Sequence, residues 1–118
     1  MKYEITKDFE FSASHIVEDL PLGHKCTKLH GHNYVVRLRL GAKALDETGF
    51  VIDYGELDEF KWYLDEYIDH QHLNDVIDVN PTAENLAEFF FAWCLEEGWP
   101  IKSASVSETP KTSATYKP

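Results

Sequence analysis

The sequence predicts an α+β domain with the element order ββααββ, and three observations carry that prediction. Two segments near the N-terminus alternate apolar and polar residues with the period of a strand. Two later segments space their apolar residues as helices do, each behind a capping residue. The chain then closes on two short segments around Pro110 that read as strands. Such an order is expected to give antiparallel pairing, with both helices packed on one face of the sheet.

In the first strand, "YEITKDFEFSASH", Phe9, Phe11, Ala13 and His15 share one face, and Glu10, Ser12 and Ser14 share the other. "HIVEDLPLGHKCTKL" is a loop punctuated by Pro21 and Gly23. The second strand, "HGHNYVVRLRLGA", puts His30, His32, Tyr34, Val36, Leu38 and Leu40 on one face, with Arg37 and Arg39 opposite. Asp53 and Glu56 form a capping box at the start of a helix whose Leu57, Phe60, Leu64 and Ile68 follow helical spacing. "DHQHLND" is a polar loop. Pro81 and Thr82 open the second helix, Phe89, Phe90 and Phe91 widen its apolar stripe, and Gly98 is its C-terminal stop. "IKSASVSET" and "TSATYKP" close the sheet.

A length of 118 residues suits one domain, 1–118. So short a chain buries a modest fraction of its surface, which makes homo-oligomers an expectation. The formal net charge of −10 argues against nucleic acid or an anionic membrane as partner, while leaving room for a small anion in a locally basic pocket. No apolar run approaches the ~18 residues of a membrane span, and the N-terminus has no signal-peptide pattern. A soluble cytoplasmic protein is expected, with Cys26 and Cys94 as free thiols.

The six histidines are unevenly placed, three of them in "HKCTKLHGHNY", residues 24–34. On a strand, His30 and His32 project from the same face, about 7 Å apart along the backbone. If the two strands pair around the loop 16–29, His15 lands beside them. Three imidazoles without an obligatory fourth protein ligand are the pattern of a catalytic zinc site, with bonds of about 2.0–2.1 Å. An isolated His-x-His pair is as easily a half-buried, hydrogen-bonded feature, and the facing His15 raises the metal reading above it. A closed structural site with Cys26 as fourth ligand fits the same spacing. Cys26 also has His24, Lys25 and Lys28 nearby, surroundings that favour a thiolate able to act as base or nucleophile. His70, behind Asp69 at a helix end, is an acid/base candidate, and His72 is as good a ligand by sequence.

Six ordered segments resemble one family. "FSASH", "CTKLHGHNY", "GFVIDYGELDEF", "DHQHLND", "NPTAENLA" and "SETPKTSATY" are similar to the motifs of the 6-pyruvoyltetrahydropterin synthase / 6-carboxytetrahydropterin synthase family. The resemblance runs from about Phe9 to Tyr116. It implies the tunnelling fold (T-fold), assembled as trimers or dimers of trimers whose sheets close into a barrel with sites between subunits. It implies Zn2+ on His15, His30 and His32, a catalytic thiol at Cys26, and an acid/base pair at Asp69 and His70. Glu108 would be the pterin anchor and a candidate member of the proton relay, since a carboxylate matches adjacent N–H donors. The implied substrate is a pterin triphosphate, 7,8-dihydroneopterin triphosphate, with Lys25, Lys28, Lys111 and Lys117 as candidate phosphate contacts. The short loop before "HGH" looks most like the carboxy branch, which feeds the queuosine (7-deazaguanine) pathway. The pyruvoyl branch, serving tetrahydrobiopterin, also keeps the cysteine. A folate-linked variant has glutamate there instead. Ser107 departs from the lysine many relatives carry before the anchor glutamate.

Overall fold

A computed structural model describes residues 2–118. Strand β1 (Tyr3–His15) and strand β2 (His30–Ala42) pair antiparallel along their whole length, with Phe9 opposite Val36, Phe11 opposite Tyr34, Ala13 opposite His32 and His15 opposite His30. Strand β4 (Ile101–Ser107) pairs antiparallel with β2, and strand β5 (Ala114–Tyr116) with β4. A two-residue strand β3 (Gln71–His72) adds to the other side of β1, giving the order β3-β1-β2-β4-β5. The β3 pairing is parallel, the one exception to the antiparallel expectation among the described residues.

The alternation read from the sequence sorts the two faces. Phe9, Phe11, Tyr34, Val36, Leu38 and Leu40 are buried. On the open face, Arg37 makes two hydrogen bonds to its cross-strand partner Asp8, at 2.8 and 3.0 Å. Exposed pairs of this kind are screened by water and contribute little, so the buried face holds the sheet together.

The first helix is less regular than its spacing predicts. Asp53 does cap it, but its carboxylate accepts from the Gly55 N–H at 2.8 Å, and the Glu56 N–H goes to the Asp53 carbonyl. The expected capping box is therefore replaced by a 3-10 turn, Tyr54–Leu57. Helix α1 (Asp58–Tyr63) follows, and a π-helical turn, Leu64–Ile68, finishes it. Leu57, Phe60, Leu64 and Ile68 are all buried, so packing holds the predicted apolar face through three winding types. The π turn closes with the Asp69 N–H donating to the Leu64 carbonyl at 2.7 Å. The segment expected as a polar loop contains β3 and the short helix α2 (Leu73–Val76). Leu73 is its buried anchor.

Helix α3 (Ala83–Glu96) matches its sequence signals. The Thr82 hydroxyl accepts from the Asn85 N–H at 3.1 Å. Gly98 has φ +80°, and its N–H donates to the Leu95 carbonyl while the Trp99 N–H reaches the Cys94 carbonyl. That pair of bonds is a Schellman stop. Phe90 and Phe91 are buried, and Phe89 packs half-buried at the rim.

Both helices meet the sheet through aromatic rings. Phe60, wholly buried, lies edge-on to Phe9 at 5.0 Å, Phe90 at 5.6 Å and Trp93 at 5.4 Å. Removing that ring leaves a cavity joining both helices and the sheet. Phe60→Ala should cost about 3–5 kcal/mol in denaturant unfolding; a loss under about 1 kcal/mol would mean that the helix layer is held elsewhere.

Candidate metal and proton-transfer site

The β1–β2 register brings the last residue of β1 against the first of β2. His15, His30 and His32 each offer a ring nitrogen, and these atoms lie within 4.8 Å of one another. His15 and His30 approach most closely, Nε2 to Nε2 at 2.9 Å. The three rings meet nearly edge to face, with centroids 4.5 to 5.2 Å apart.

Two backbone carbonyls set the tautomers. His15 Nδ1 is 2.7 Å from the Pro81 carbonyl oxygen, and His30 Nδ1 is 2.7 Å from that of Lys28. A carbonyl can only accept, so each Nδ1 carries its ring's hydrogen. In the neutral rings both Nε2 atoms then present lone pairs to each other. Such an arrangement is repulsive until a cation lies between the rings. A carbonyl behind each ring nitrogen is also the usual support of a metal-bound imidazole. The donor set therefore fits a zinc-type ion. Burial lowers the pKa of His15, against the raising effects of the Pro81 hydrogen bond and Glu108. Burial also lowers that of His32, again opposed by Glu108. Both shifts favour the neutral, ligating form. Glu108 Oε2 stands 3.3 Å from His15 Nε2 and 3.5 Å from His32 Nε2.

Cys26 sits in a 3-10 turn, Lys25–Thr27, within the loop between β1 and β2. Its N–H donates to His24 Nδ1 at 3.1 Å and its carbonyl accepts from the Val17 N–H at 2.9 Å. His24 thus caps the turn that carries the thiol. A cavity of about 460 Å³ is lined by Lys25, Cys26, His30, His32 and Glu108. Of the lysine candidates only Lys25 lines it.

Asp69 and His70 form a second cluster. Asp69 Oδ1 accepts from the Ser12 N–H at 2.8 Å, and Oδ2 is 2.8 Å from His70 Nδ1. The His70 N–H in turn donates to the Ser12 carbonyl at 2.6 Å. Burial works against the Asp69 charge, but the Ser12 N–H and His70 hold its pKa below the ordinary carboxylate value. His70 has φ +62°, and its side chain is 81% exposed. It borders a separate cleft with Ser12, Ser14, Asn33 and His72. Within one chain the two hollows share only His32. His72 Nδ1 is engaged by the Ser14 hydroxyl at 2.9 Å, and His72 is not among the converging rings.

Two asparagines escaped the sequence reading. Asn74 Oδ1 accepts from the Ile16 N–H and its Nδ2 donates to the Ile16 carbonyl, both at 2.9 Å. Asn80 grips Glu18 in the same way, at 2.9 and 3.1 Å. The side-chain amides act as substitute strand partners for the chain leaving His15. Their places in "HLND" and "NPT" were the available signal.

The comparisons with known proteins agree with this arrangement. The family model for 6-pyruvoyl tetrahydropterin synthase matches residues 4–118. A Synechocystis protein named 6-carboxy-5,6,7,8-tetrahydropterin synthase is 37% identical, the match covering 95% of this chain and 91% of the relative. A Bacillus subtilis protein of the same name is 30% identical, over 98% of this chain and 86% of the relative. The solved 6-pyruvoyl tetrahydropterin synthase of Caenorhabditis elegans superposes with a TM-score of 0.84 at 26% identity, covering 98% of this chain and 95% of that one. The α+β architecture is thus the T-fold expected from the motifs, and the chain belongs to the 6-pyruvoyl tetrahydropterin synthase family.

Proposed function

We propose that the protein is a zinc-dependent lyase of the cytoplasm, converting 7,8-dihydroneopterin triphosphate to 6-carboxy-5,6,7,8-tetrahydropterin. Acetaldehyde and triphosphate would be released, and the product would enter queuosine (7-deazaguanine) biosynthesis. The observation that carries this reading is the convergence of three imidazoles beside Cys26 and Glu108, in a chain whose relatives bear the carboxy-synthase name.

His15 and His30 would hold the ion through Nε2, the atoms their carbonyl partners leave bare, and His32 would complete the trio. Zinc bound there supplies a Lewis acid for the substrate's side-chain hydroxyls, which makes the neighbouring C–H more acidic. Glu108 would accept hydrogen bonds from the pterin edge and so fix its orientation. Cys26, which lines the same cavity as Lys25, would move a proton at the substrate's side chain. Lys25 is also the best placed phosphate contact. Asp69 directs His70 Nδ1 inward, leaving Nε2 as the atom that carries a proton at the open side. Because Cys26 and His70 border different hollows, the Asp69–His70 pair would serve a neighbouring subunit's site. A trimer, or a dimer of trimers, with sheets closed into a barrel would provide that neighbour.

The C. elegans structure favours a second reading, the pyruvoyl-forming reaction, and product masses separate the two. Zinc-loaded protein incubated with dihydroneopterin triphosphate should yield 6-carboxytetrahydropterin and acetaldehyde; 6-pyruvoyltetrahydropterin would transfer it to the other branch. The variant Cys26→Ala should keep its zinc and lose turnover by about 100-fold or more. Undiminished turnover would remove Cys26 from the mechanism, whereas loss of zinc would revive the closed site with Cys26 as ligand.

The histidine shifts give a pH dependence. His15 and His32 are held below the ordinary value of 6.5, so the folded, metal-free chain binds protons less readily than the unfolded chain. Their effect on stability is absent above about 6.5 and grows unfavourable as pH falls below it. Metal-free protein should therefore unfold at lower denaturant concentration on acidification below that value. Zinc at 100 times its Kd should add about 2.7 kcal/mol at neutral pH, and less in acid as protons compete. A zinc increment that grows on acidification would contradict the assignment of neutral imidazole ligands.

A further inference from the structure

We propose that Tyr34 is a positioning residue of the histidine trio. Its hydroxyl and the Pro81 carbonyl together hold the His15 ring so that Nε2 faces His30 and His32. The proposal rests on the reading of the trio as a metal site.

Tyr34 is wholly buried in β2, two residues beyond His32. Its ring stacks on Phe11, with centroids 4.8 Å apart and planes 11° from parallel. It also meets His15 and His32 edge to face, at 5.9 and 5.5 Å. A phenylalanine would fill this space equally well and bury no polar atom. Burying a hydroxyl is unfavourable unless it finds a partner. Among the described residues this hydroxyl has one hydrogen-bond partner, His15 Nδ1 at 3.2 Å.

That nitrogen has a single hydrogen and two neighbours. The Pro81 carbonyl, at 2.7 Å, is the closer and can only accept, so the hydrogen points mainly there. The Tyr34 oxygen takes the remaining share of a three-centre bond. His15 is thus gripped by the loop before α3 and by β2. It is the one fully buried member of the trio, out of reach of bulk water. Without the hydroxyl the ring can tilt about its one remaining bond, and its lone pair drifts from the point where the other two converge. Groups that orient a metal-bound histidine typically alter metal affinity 10- to 100-fold.

The test is zinc affinity of the full chain with Tyr34→Phe, measured by competition with a chelating dye at neutral pH. We expect Kd to weaken about tenfold or more, while the unfolding midpoint of the metal-free protein moves little because the Phe11 stack is kept. Equal Kd values in the two proteins overturn the proposal and leave the metal site standing. If the unaltered protein binds no zinc, the metal site and the proposal fall together. A measurement on the unaltered, metal-free chain guards against a variant that fails to fold: the ring nitrogens of His15, followed by 15N NMR, should show hydrogen on Nδ1. Hydrogen on Nε2 overturns the proposal.

Discussion

The register between β1 and β2 is the constraint on which both the core and the site depend. Side chains alternate across a strand, so one register serves every residue at once. With Phe11 opposite Tyr34, the apolar residues of both strands face the helices and His15 falls opposite His30. A slip of one residue would turn Phe9 and Phe11 to solvent and drive Glu10 into the core. Burial of each such side chain favours the native pairing by about 1.5–3 kcal/mol. The histidines need no register signal of their own. The aromatic residues farther along the strands hold them in place.

Placing a histidine in the interior sets a second constraint, because a buried imidazole needs a partner at each nitrogen. His15 meets it on one side with Pro81 and Tyr34. Its other nitrogen faces His30 and Glu108. The Pro81 contact ties the site to the start of α3, where Thr82 caps the helix one residue later. The cap therefore fixes where the carbonyl stands as well as where the helix begins. The asparagine grips at Ile16 and Glu18 continue this tie into the loop that carries Cys26.

What could be read from the sequence was what local pattern controls. The alternation in "FEFSASH" and "HGHNYVVRLRL" fixed the faces, and with them the three histidines as neighbours. Thr82 and Gly98 marked the ends of α3 through capping chemistry that acts within a few residues. The rest depends on contacts distant in sequence. The β3 strand exists because Ser12 offers its N–H and carbonyl to Asp69 and His70, and nothing in "DHQHLND" announces a partner almost sixty residues away. The π turn before it answers to the packing of Leu64 and Ile68, not to any residue's preference. Likewise, Cys26 had no direction by sequence, since its turn is held by Val17 and His24 and not by strand periodicity.

The separation of the two candidate proton-moving groups follows from the same geometry. Cys26 is carried by the loop that caps the histidine end of β1 and β2, and it shares a cavity with Glu108 from the end of β4. His70 is fixed beyond the other edge of β1, by a parallel bridge that leaves its side chain exposed. No rotamer of His70 changes which side of β1 its backbone occupies. Its φ of +62° is a strained value for a non-glycine residue, and the two Ser12 bonds and the Asp69 carboxylate hold it there. A residue fixed with its imidazole outward is suited to act on something that approaches from outside its own chain. In the proposed assembly that is the substrate held by a neighbour, so His70 would supply from one subunit what Cys26 and the histidine trio lack in the next.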